Sequence, residues 1–244
     1  MIPKIIHYCW LSDDPVPEDL QRYMRTWKEK LPDYEFILWN FDRFDINSSL
    51  WVKQAFENKK YAFAADYIRL YAVYKYGGIY MDMDIEVLRS FDDFLDSPIV
   101  IAYENDEQTG IEAGCFGAEK GNAFIGECLS YYNYRHFIKD DGSFDTLPLP
   151  KIMMKYASQH SYVKPYSRDY FTCKSYKTGK ISTTGNSFTI HHFAGSWTSL
   201  AQKKYEIQRR FLLSHYAVFG NFFSIFPFIL WQVSDNGIRG CMSK

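Results

Sequence analysis

Asp82 and Asp84 are two carboxylates one residue apart, and they follow directly on the apolar triplet Ile79-Tyr80-Met81. In an extended segment residues i and i+2 face the same side, so the pair is expected to converge on one point while Met83 faces the core. Two convergent carboxylates repel each other and call for a cation between them, and hard oxygen donors suit Mg²⁺ or Mn²⁺. A cation held there would bridge two phosphates of a nucleoside diphosphate and neutralise charge as the phosphate departs. Surface turns also contain D-x-D triplets; the strand-like run in front of this one sets it apart.

Other residues can serve such a site. Asp66 and Arg69 lie one helical turn apart in a segment, Tyr61 to Tyr76, that is otherwise mostly apolar and aromatic. They read either as an internal ion pair that fixes the helix or as a pair that binds sugar hydroxyls and donor oxygens. His191 and His192 face opposite sides of a final strand, so only one of them can enter a site built from strand ends. A neutral imidazole is a sound third ligand beside two carboxylates. Ser196 and Trp197 follow with a hydroxyl and an indole N–H in reach of a diphosphate, and Trp10 offers either a base-stacking face or a core side chain.

The elements that must hold these groups read as an α/β fold. Lys4 to Cys9 suits a buried strand, 18 to 30 a helix with Leu20, Met24 and Trp27 on one stripe, and Tyr34 to Trp39 a second strand, which is a βαβ beginning. Helices are expected over 48–58 and 60–76, the latter stopped by Gly77-Gly78. The acidic pair then stands at a strand's carboxyl end, where open α/β sheets bind ligands. Strands over Ile99–Tyr103 and Ala113–Gly117, helices over 122–136 and 148–159, a turn-rich stretch over 161–186, a strand over Phe188–Phe193 and a helix over 199–219 complete the reading. Residues 1–200 are expected as one domain and 201–244 as a helical, apolar C-terminal extension. Within that extension Phe219 to Trp231 is too short for the ~20 residues of a bilayer span and is broken by Pro227. It either packs on the core or touches a membrane surface, with Lys203, Lys204, Arg209 and Arg210 just before it.

The chain is 244 residues long, enough to bury a core without disulfides. Its net charge of −1 and lack of a basic block exclude a nucleic-acid-binding face. The five scattered cysteines form no C-x-x-C pair, and the opening residues lack a basic leader with an apolar core, so a cytoplasmic protein with reduced thiols is expected.

Four separated segments, IPKIIHYCW, YAFAADYIRLYAVYKYGGIYMDMDIEVL, GAEKGNAF and IHHFAGSW, together resemble glycosyltransferase family 32, the sugar-binding domain with a DXD motif, over roughly residues 1 to 200. That family includes capsule and exopolysaccharide transferases and yeast mannosyltransferases, and is similar in its core to the glucosylating domains of large clostridial toxins. The resemblance implies a GT-A fold, a Rossmann-like mixed central sheet flanked by helices. It also implies a nucleotide-sugar donor, Mn²⁺ or Mg²⁺, and retention of anomeric configuration. Carried over by motif, Trp10 stacks on the base, Asp66 and Arg69 hold the donor sugar, and Tyr80 and Asp82 contact the donor. Asp84 and His192 then join Asp82 on the metal, with Ser196 and Trp197 on the diphosphate.

Where many relatives carry a polar amide before Gly114, this chain has Ile111-Glu112-Ala113. Glu112 is placed on the acceptor side, and no catalytic base is assigned. A UDP-sugar is favoured over a GDP-sugar, with a hexose or N-acetylhexosamine moving to a lipid-linked glycan of capsule, exopolysaccharide or O-antigen at the cytoplasmic face of the membrane. Two rivals remain: a carbohydrate-binding protein without activity, and a Mg²⁺-dependent phosphatase. The latter wants its D-x-D on the first strand and a Thr or Val where Glu86 stands.

Overall fold

A computed structural model describes residues 1–195 and 200–215, the side chains of 200–203 and 213–215 excepted. Ser196, Trp197 and the apolar stretch from Phe219 to Trp231 therefore lie outside the described residues.

The chain opens with strand β1 (Ile5–Cys9), helix α1 (Glu18–Lys30) and strand β2 (Glu35–Trp39). β2 pairs parallel to β1, as a βαβ unit requires. Glu18 and Asp19 in the first turn of α1 and Lys28 and Lys30 in the last complement its dipole. Its Leu20 and Trp27 are buried, and the Trp27 indole donates to the Ile85 carbonyl at 2.6 Å. Helices α2 (Leu50–Glu57) and α3 (Tyr61–Tyr76) follow. Ser49 caps α2 by accepting from Val52 N–H.

α3 buries Ala64, Ala65, Ile68, Leu70, Ala72 and Val73, and so is apolar on almost every side. Burial of Ile68, Leu70 and Val73 alone contributes about 1.5–3 kcal/mol each. Asp66 and Arg69 are carried into this interior with them. Gly77 (φ +70°) and Gly78 (φ +103°) make the turn from α3 into strand β3 (Gly78–Met81). A Cβ at Gly77 would stand 2.8 Å from the Lys120 nitrogen and one at Gly78 2.7 Å from the Ile5 carbonyl oxygen, so the strand leading to the acidic pair can lie against β1 only with glycine here.

Strands β4 (Ile85–Val87), β5 (Ile99–Val100) and β6 (Cys115–Ala118), helices α4 (Ala123–Ser130) and α5 (Leu149–Ala157), strand β7 (Thr189–His191) and helix α6 (Leu200–His215) complete the described elements. The main sheet is mixed, in the order β2-β1-β3-β6-β5, with β1 and β3 parallel and β6 antiparallel to both its neighbours. β4 and β7 form a separate antiparallel pair. This is the mixed GT-A sheet expected from the sequence. The acidic pair follows the third strand, which removes the support for a phosphatase with its motif on the first.

Several elements are shorter than their sequence patterns suggest, β5, α4 and β7 among them. β5 ends at Val100, and Ala102 and Tyr103 make isolated bridges to Tyr166 and Ile111 instead. α4 stops at Ser130 rather than near 136, because the chain turns through Tyr131–Tyr134 and Tyr134 adopts φ +56°. β7 ends before His192, and Phe193 beyond it has φ +52°.

The chain divides into two compact units: Met1–Cys173 with Ser182–His192, and Lys174–Ile181 with the segment from Phe193 onward. In the second unit Lys174 bridges Ile181, Tyr176 packs edge-on to Phe193 at 5.3 Å, and Arg210 of α6 donates to the Tyr176 carbonyl at 3.1 Å. Among the described residues no helix is long and apolar enough to cross a membrane.

Candidate active site

The acidic pair does not lie on an extended strand. Asp82 follows β3 directly, with its N–H on the Gly114 carbonyl at 2.7 Å, and Ile85 N–H returns to the Asp82 carbonyl at 3.0 Å. A tight turn, not strand alternation, therefore brings the two carboxylates together, while Met83 is buried as expected.

β4 leaves this turn and pairs with β7 so that Ile85 stands opposite His191. One ligand atom each from Asp82, Asp84 and His191 lies within 4.8 Å of the others. Cation–oxygen distances of about 2.0–2.6 Å let one ion reach such donors. Room for it is left by Gly114. A Cβ there would come within 2.7 Å of His191 Cε1, 2.8 Å of Glu112 Oε1 and 2.9 Å of Asp82 Oδ2. Two carboxylates and an imidazole around a glycine-made space fit a divalent cation.

His191, not His192, is the histidine in this cluster. Thr189 and His191 share one face of β7, and that face meets the turn. His192 lies past the strand's end, its Nε2 2.8 Å from Glu86 Oε2 and its ring stacked 4.1 Å from Tyr23. The motif-based choice of His192 as metal ligand is corrected accordingly.

Glu112 is also reassigned. It is only 3% exposed, and its Oε1 accepts from Gly114 N–H at 2.6 Å and lies 3.1 Å from His191 Nδ1, while Oε2 accepts from the Thr172 hydroxyl at 2.6 Å. So placed, it cannot face an acceptor. Instead it receives the Nδ1 proton of His191 and turns Nε2 toward Asp84 Oδ1, 3.4 Å away. This carboxylate–imidazole arrangement orients ligands in many metal sites. Burial would raise the Glu112 carboxyl, but His191, Thr172 and the Gly114 N–H outweigh it and hold the group below its ordinary value. Burial would likewise lower His191, yet Glu112 and Asp84 raise it well above the usual imidazole value. A cation at Nε2 would take the place of that proton.

Arg69 ties the helix to the acidic turn. Its guanidinium reaches Asp82 at 3.4 Å and Asp66 at 3.6 Å, donates to the Ala113 carbonyl at 2.8 Å, and lies 4.6 Å over the Tyr80 ring. The Tyr80 hydroxyl donates to Asp82 Oδ1 at 2.7 Å, and the residue is buried, so it positions Asp82 instead of touching a donor. Burial pushes the Asp66 carboxyl up to about 6 despite the nearby guanidinium of Arg69. Burial and Asp84 raise Asp82 against the pull of Arg69. A cleft with more carboxylate than cation to match it is poised to accept a cation.

Trp10 stands at the exit of β1, half-buried, with its backbone N–H on the Trp39 carbonyl at 3.1 Å and its indole N–H on the Asp14 carbonyl at 2.8 Å. Thus Trp10, Asp66, Arg69, Tyr80, Asp82 and Asp84 fall at strand ends or on the helix beside them. The sequence reading had left His191 open beside His192, whereas the roles of Thr172 and Gly114 escaped it. Thr172 has no local signal, since it comes from the turn-rich stretch.

Residues 17–101 match the family described as a glycosyltransferase sugar-binding region containing a DXD motif. Over these residues, which include the acidic turn and α3, the chain is similar to that family. It is similar to inositol phosphoceramide mannosyltransferase 3 of Schizosaccharomyces pombe, with 31% identity over 128 residues, 51% of this chain and 35% of that protein. It is similar also to mannosyl phosphorylinositol ceramide synthase SUR1 of Saccharomyces cerevisiae, with 35% identity over 143 residues, 57% of this chain and 36% of that protein. The chain thus spans little more than a third of the length of these relatives. The solved structure of PaToxG glycosyltransferase shares the fold, with TM-score 0.51 and 21% identity over 65% of this chain and 69% of that one. The DXD triplet of the region is Asp82-Met83-Asp84, at the centre of the cluster.

Proposed function

We propose that the chain is a metal-dependent glycosyltransferase that moves a hexose from a nucleotide-sugar to a hydroxyl of a lipid-linked or glycan acceptor. The observation that carries this reading is the convergence of Asp82, Asp84 and His191 beside the buried Asp66–Arg69 pair, within a DXD sugar-binding region. A bound divalent cation, Mn²⁺ favoured because an imidazole joins the oxygen donors, supplies charge neutralisation to the departing diphosphate. The chain's own residues supply position. Glu112 and Thr172 fix His191, Tyr80 and Arg69 fix Asp82, Asp66 accepts hydroxyls of the donor sugar, and Trp10 offers its ring to the base. Retention of configuration follows the family resemblance and is consistent with a site to which no catalytic base is assigned.

The two yeast relatives are by their names an inositol phosphoceramide mannosyltransferase and a mannosyl phosphorylinositol ceramide synthase, and they lend no support to a role in capsule, exopolysaccharide or O-antigen synthesis. Mannose is accordingly the first sugar to test and a lipid headgroup the first acceptor, with GDP- and UDP-sugars compared on equal terms. The experiment is donor hydrolysis by the purified protein across a panel of both nucleotide classes, with Mn²⁺ and with EDTA. Metal-dependent turnover of one donor is the expected result. Absence of turnover and of nucleotide binding under every condition would favour a non-catalytic carbohydrate-binding protein.

A further inference from the structure

Glu104 brings a further carboxylate to the edge of the metal cluster. Segments 102–104 and 110–112 form an antiparallel ribbon: Glu112 N–H donates to the Ala102 carbonyl at 2.8 Å, Tyr103 bridges Ile111, and Glu104 N–H donates to the Gly110 carbonyl at 3.0 Å. Directly opposite residues of such a ribbon share a face, as do residues two apart along a strand, so Glu104, Gly110 and Glu112 stand on one face. Glu104 is the diagonal neighbour of Glu112, about 7–8 Å away along the backbone. The face that presents Glu112 to His191 thus carries a second carboxylate nearer the ribbon's tip. Burial raises that carboxyl above its ordinary value and the charge of Glu112 adds to the rise, while Lys151 and His191 oppose it, in keeping with a place beside the cluster.

The two carboxylates differ in what they hold. Glu112 is buried and bonded to Gly114, Thr172 and His191. Glu104 is half-buried and, among the described residues, accepts one hydrogen bond, from the Asn105 amide at 3.3 Å, an amide that also donates to the Thr109 hydroxyl at 2.9 Å. A carboxylate offers about four acceptor positions, so most of its capacity is open to a ligand. Gly110 makes its seat: a Cβ there would overlap Glu104 Oε1 and stand 2.7 Å from its Cδ. The first turn of α5 joins this carboxylate to the donor pair. Leu149 N–H bonds Asp66, the Pro150 carbonyl accepts from Ile111 N–H at 3.2 Å, and Lys151 Nζ donates to the Thr109 carbonyl at 2.7 Å. Asp66 and the Glu104 ribbon therefore meet the same helical turn. Lys151 is exposed and keeps further ammonium donors. Its charge opposes a second cation at Glu104, whereas an accepting carboxylate near a donating ammonium matches two neighbouring hydroxyls.

We infer that Glu104, with Lys151, binds the acceptor by two neighbouring hydroxyls of a sugar or cyclitol ring, beside the cation site. The acceptor role rests on the transferase reading above; the binding of such a diol does not. The test is ligand-observed NMR of methyl α-mannopyranoside, and separately of myo-inositol, with the full chain, first in Mg²⁺ and then in Mn²⁺, whose unpaired electrons broaden the signals of a ring bound close by. The expected result is saturable binding of one ring, broadened by Mn²⁺ and weakened about tenfold or more by Glu104→Gln, since a hydrogen bond to a charged group is lost. Gly110→Ala, which keeps the charge but displaces the carboxylate, should weaken binding too. Glu104→Gln should leave the thermal unfolding midpoint unchanged, because the amide keeps an oxygen for Asn105. Failure of both rings to bind, binding left sharp by bound Mn²⁺, or equal binding by wild type and Glu104→Gln would overturn the inference, even in a chain that turns over a nucleotide-sugar. Mn²⁺-broadened binding that depends on Glu104, in a chain that turns over no nucleotide-sugar, would support the diol site and count against the transferase reading.

Discussion

His7 and His191 are both buried in the same compact unit, one on β1 and one on β7, and their surroundings drive them in opposite directions. His7 lies between neutral dipoles, with Nε2 2.8 Å from the Gly77 carbonyl and Nδ1 accepting from the Trp39 indole at 3.1 Å. Burial lowers it to about 4, and it stays neutral. His191 lies between the carboxylates of Glu112 and Asp84, which override the same burial and raise it well above its usual value. Burial alone therefore does not tell a structural histidine from a functional one; the charge of the partners does. The His7 network is complete within the protein and holds β1, β2 and the Gly77 turn together. The His191 network keeps excess negative charge at its open end, which a cation would complete.

The largest expected effect comes from removing that charge. Asp84→Asn keeps the shape of the turn but removes one of the converging carboxylates. Loss of metal-borne transition-state stabilisation of several kcal/mol should lower donor turnover about 10³-fold or more. Circular dichroism should show the fold unchanged, and EDTA should reproduce the loss in wild type. Wild-type turnover in Asp84→Asn would sink the metal assignment.

Disturbing the structural histidine should do the reverse. His7→Leu orphans the Trp39 N–H and the Gly77 carbonyl, at about 1–3 kcal/mol for each buried group, so chemical denaturation should show a loss of about 3 kcal/mol. Turnover per folded molecule should be retained. The wild-type histidine also makes a pH signature. Its folded value of about 4 lies below the unfolded 6.5, so between these values the unfolded chain holds a proton that the folded one lacks. The contribution of His7 is therefore full above pH 6.5 and is lost as pH falls toward 4. Wild type minus His7→Leu should lose up to about 3 kcal/mol across that window. A flat difference would mean that His7 is solvated or charged in the folded state.

The two histidines also show how far the sequence could be read. Local patterns placed β1, α1, β2, α2, α3 and β3 within a residue or two, because each is fixed by short-range periodicity and by the Gly77-Gly78 stop. The convergence of Asp82 and Asp84 was legible for the wrong geometric reason, since a turn and not an extended strand joins them. The choice between His191 and His192 depended on which face of β7 meets the turn, and that is set by pairing with β4, about a hundred residues away in sequence. Glu112 was visible as a departure from the family pattern, but its partners, Thr172 and His191, come together only in the folded chain. Long-range register is the information that a single sequence does not display.

Glu112 is the next place to sharpen the contrast. It touches no donor, and it acts by holding His191 Nδ1 and the Gly114 N–H. Glu112→Gln is nearly isosteric, keeps one acceptor oxygen and removes the charge. Loss of such an outer carboxylate costs about 10–100-fold in metal affinity or activity. Mn²⁺ titration of donor turnover should show the apparent metal affinity falling by that factor, with turnover largely restored at saturating metal. An unrestored loss at saturating Mn²⁺ would mean that Glu112 does more than orient the histidine.

The smallest effect is expected one residue beyond His191. His192 is stacked on Tyr23 and paired with Glu86, and its backbone N–H bonds the Asp84 carbonyl at 3.0 Å, a contact that any residue but proline can keep. His192→Ala removes an aromatic stack and a partly exposed pair, each of which contributes about 1 kcal/mol or less. A small drop in stability with Mn²⁺ affinity within twofold of wild type is the expected result, set against a loss of metal binding in His191→Ala. The two variants differ by one position in sequence and by the face of the strand on which the side chain stands. Should His192→Ala be the one that loses the metal, the pairing of Ile85 with His191 would be out of register by one residue, and the site would have to be rebuilt around the other histidine.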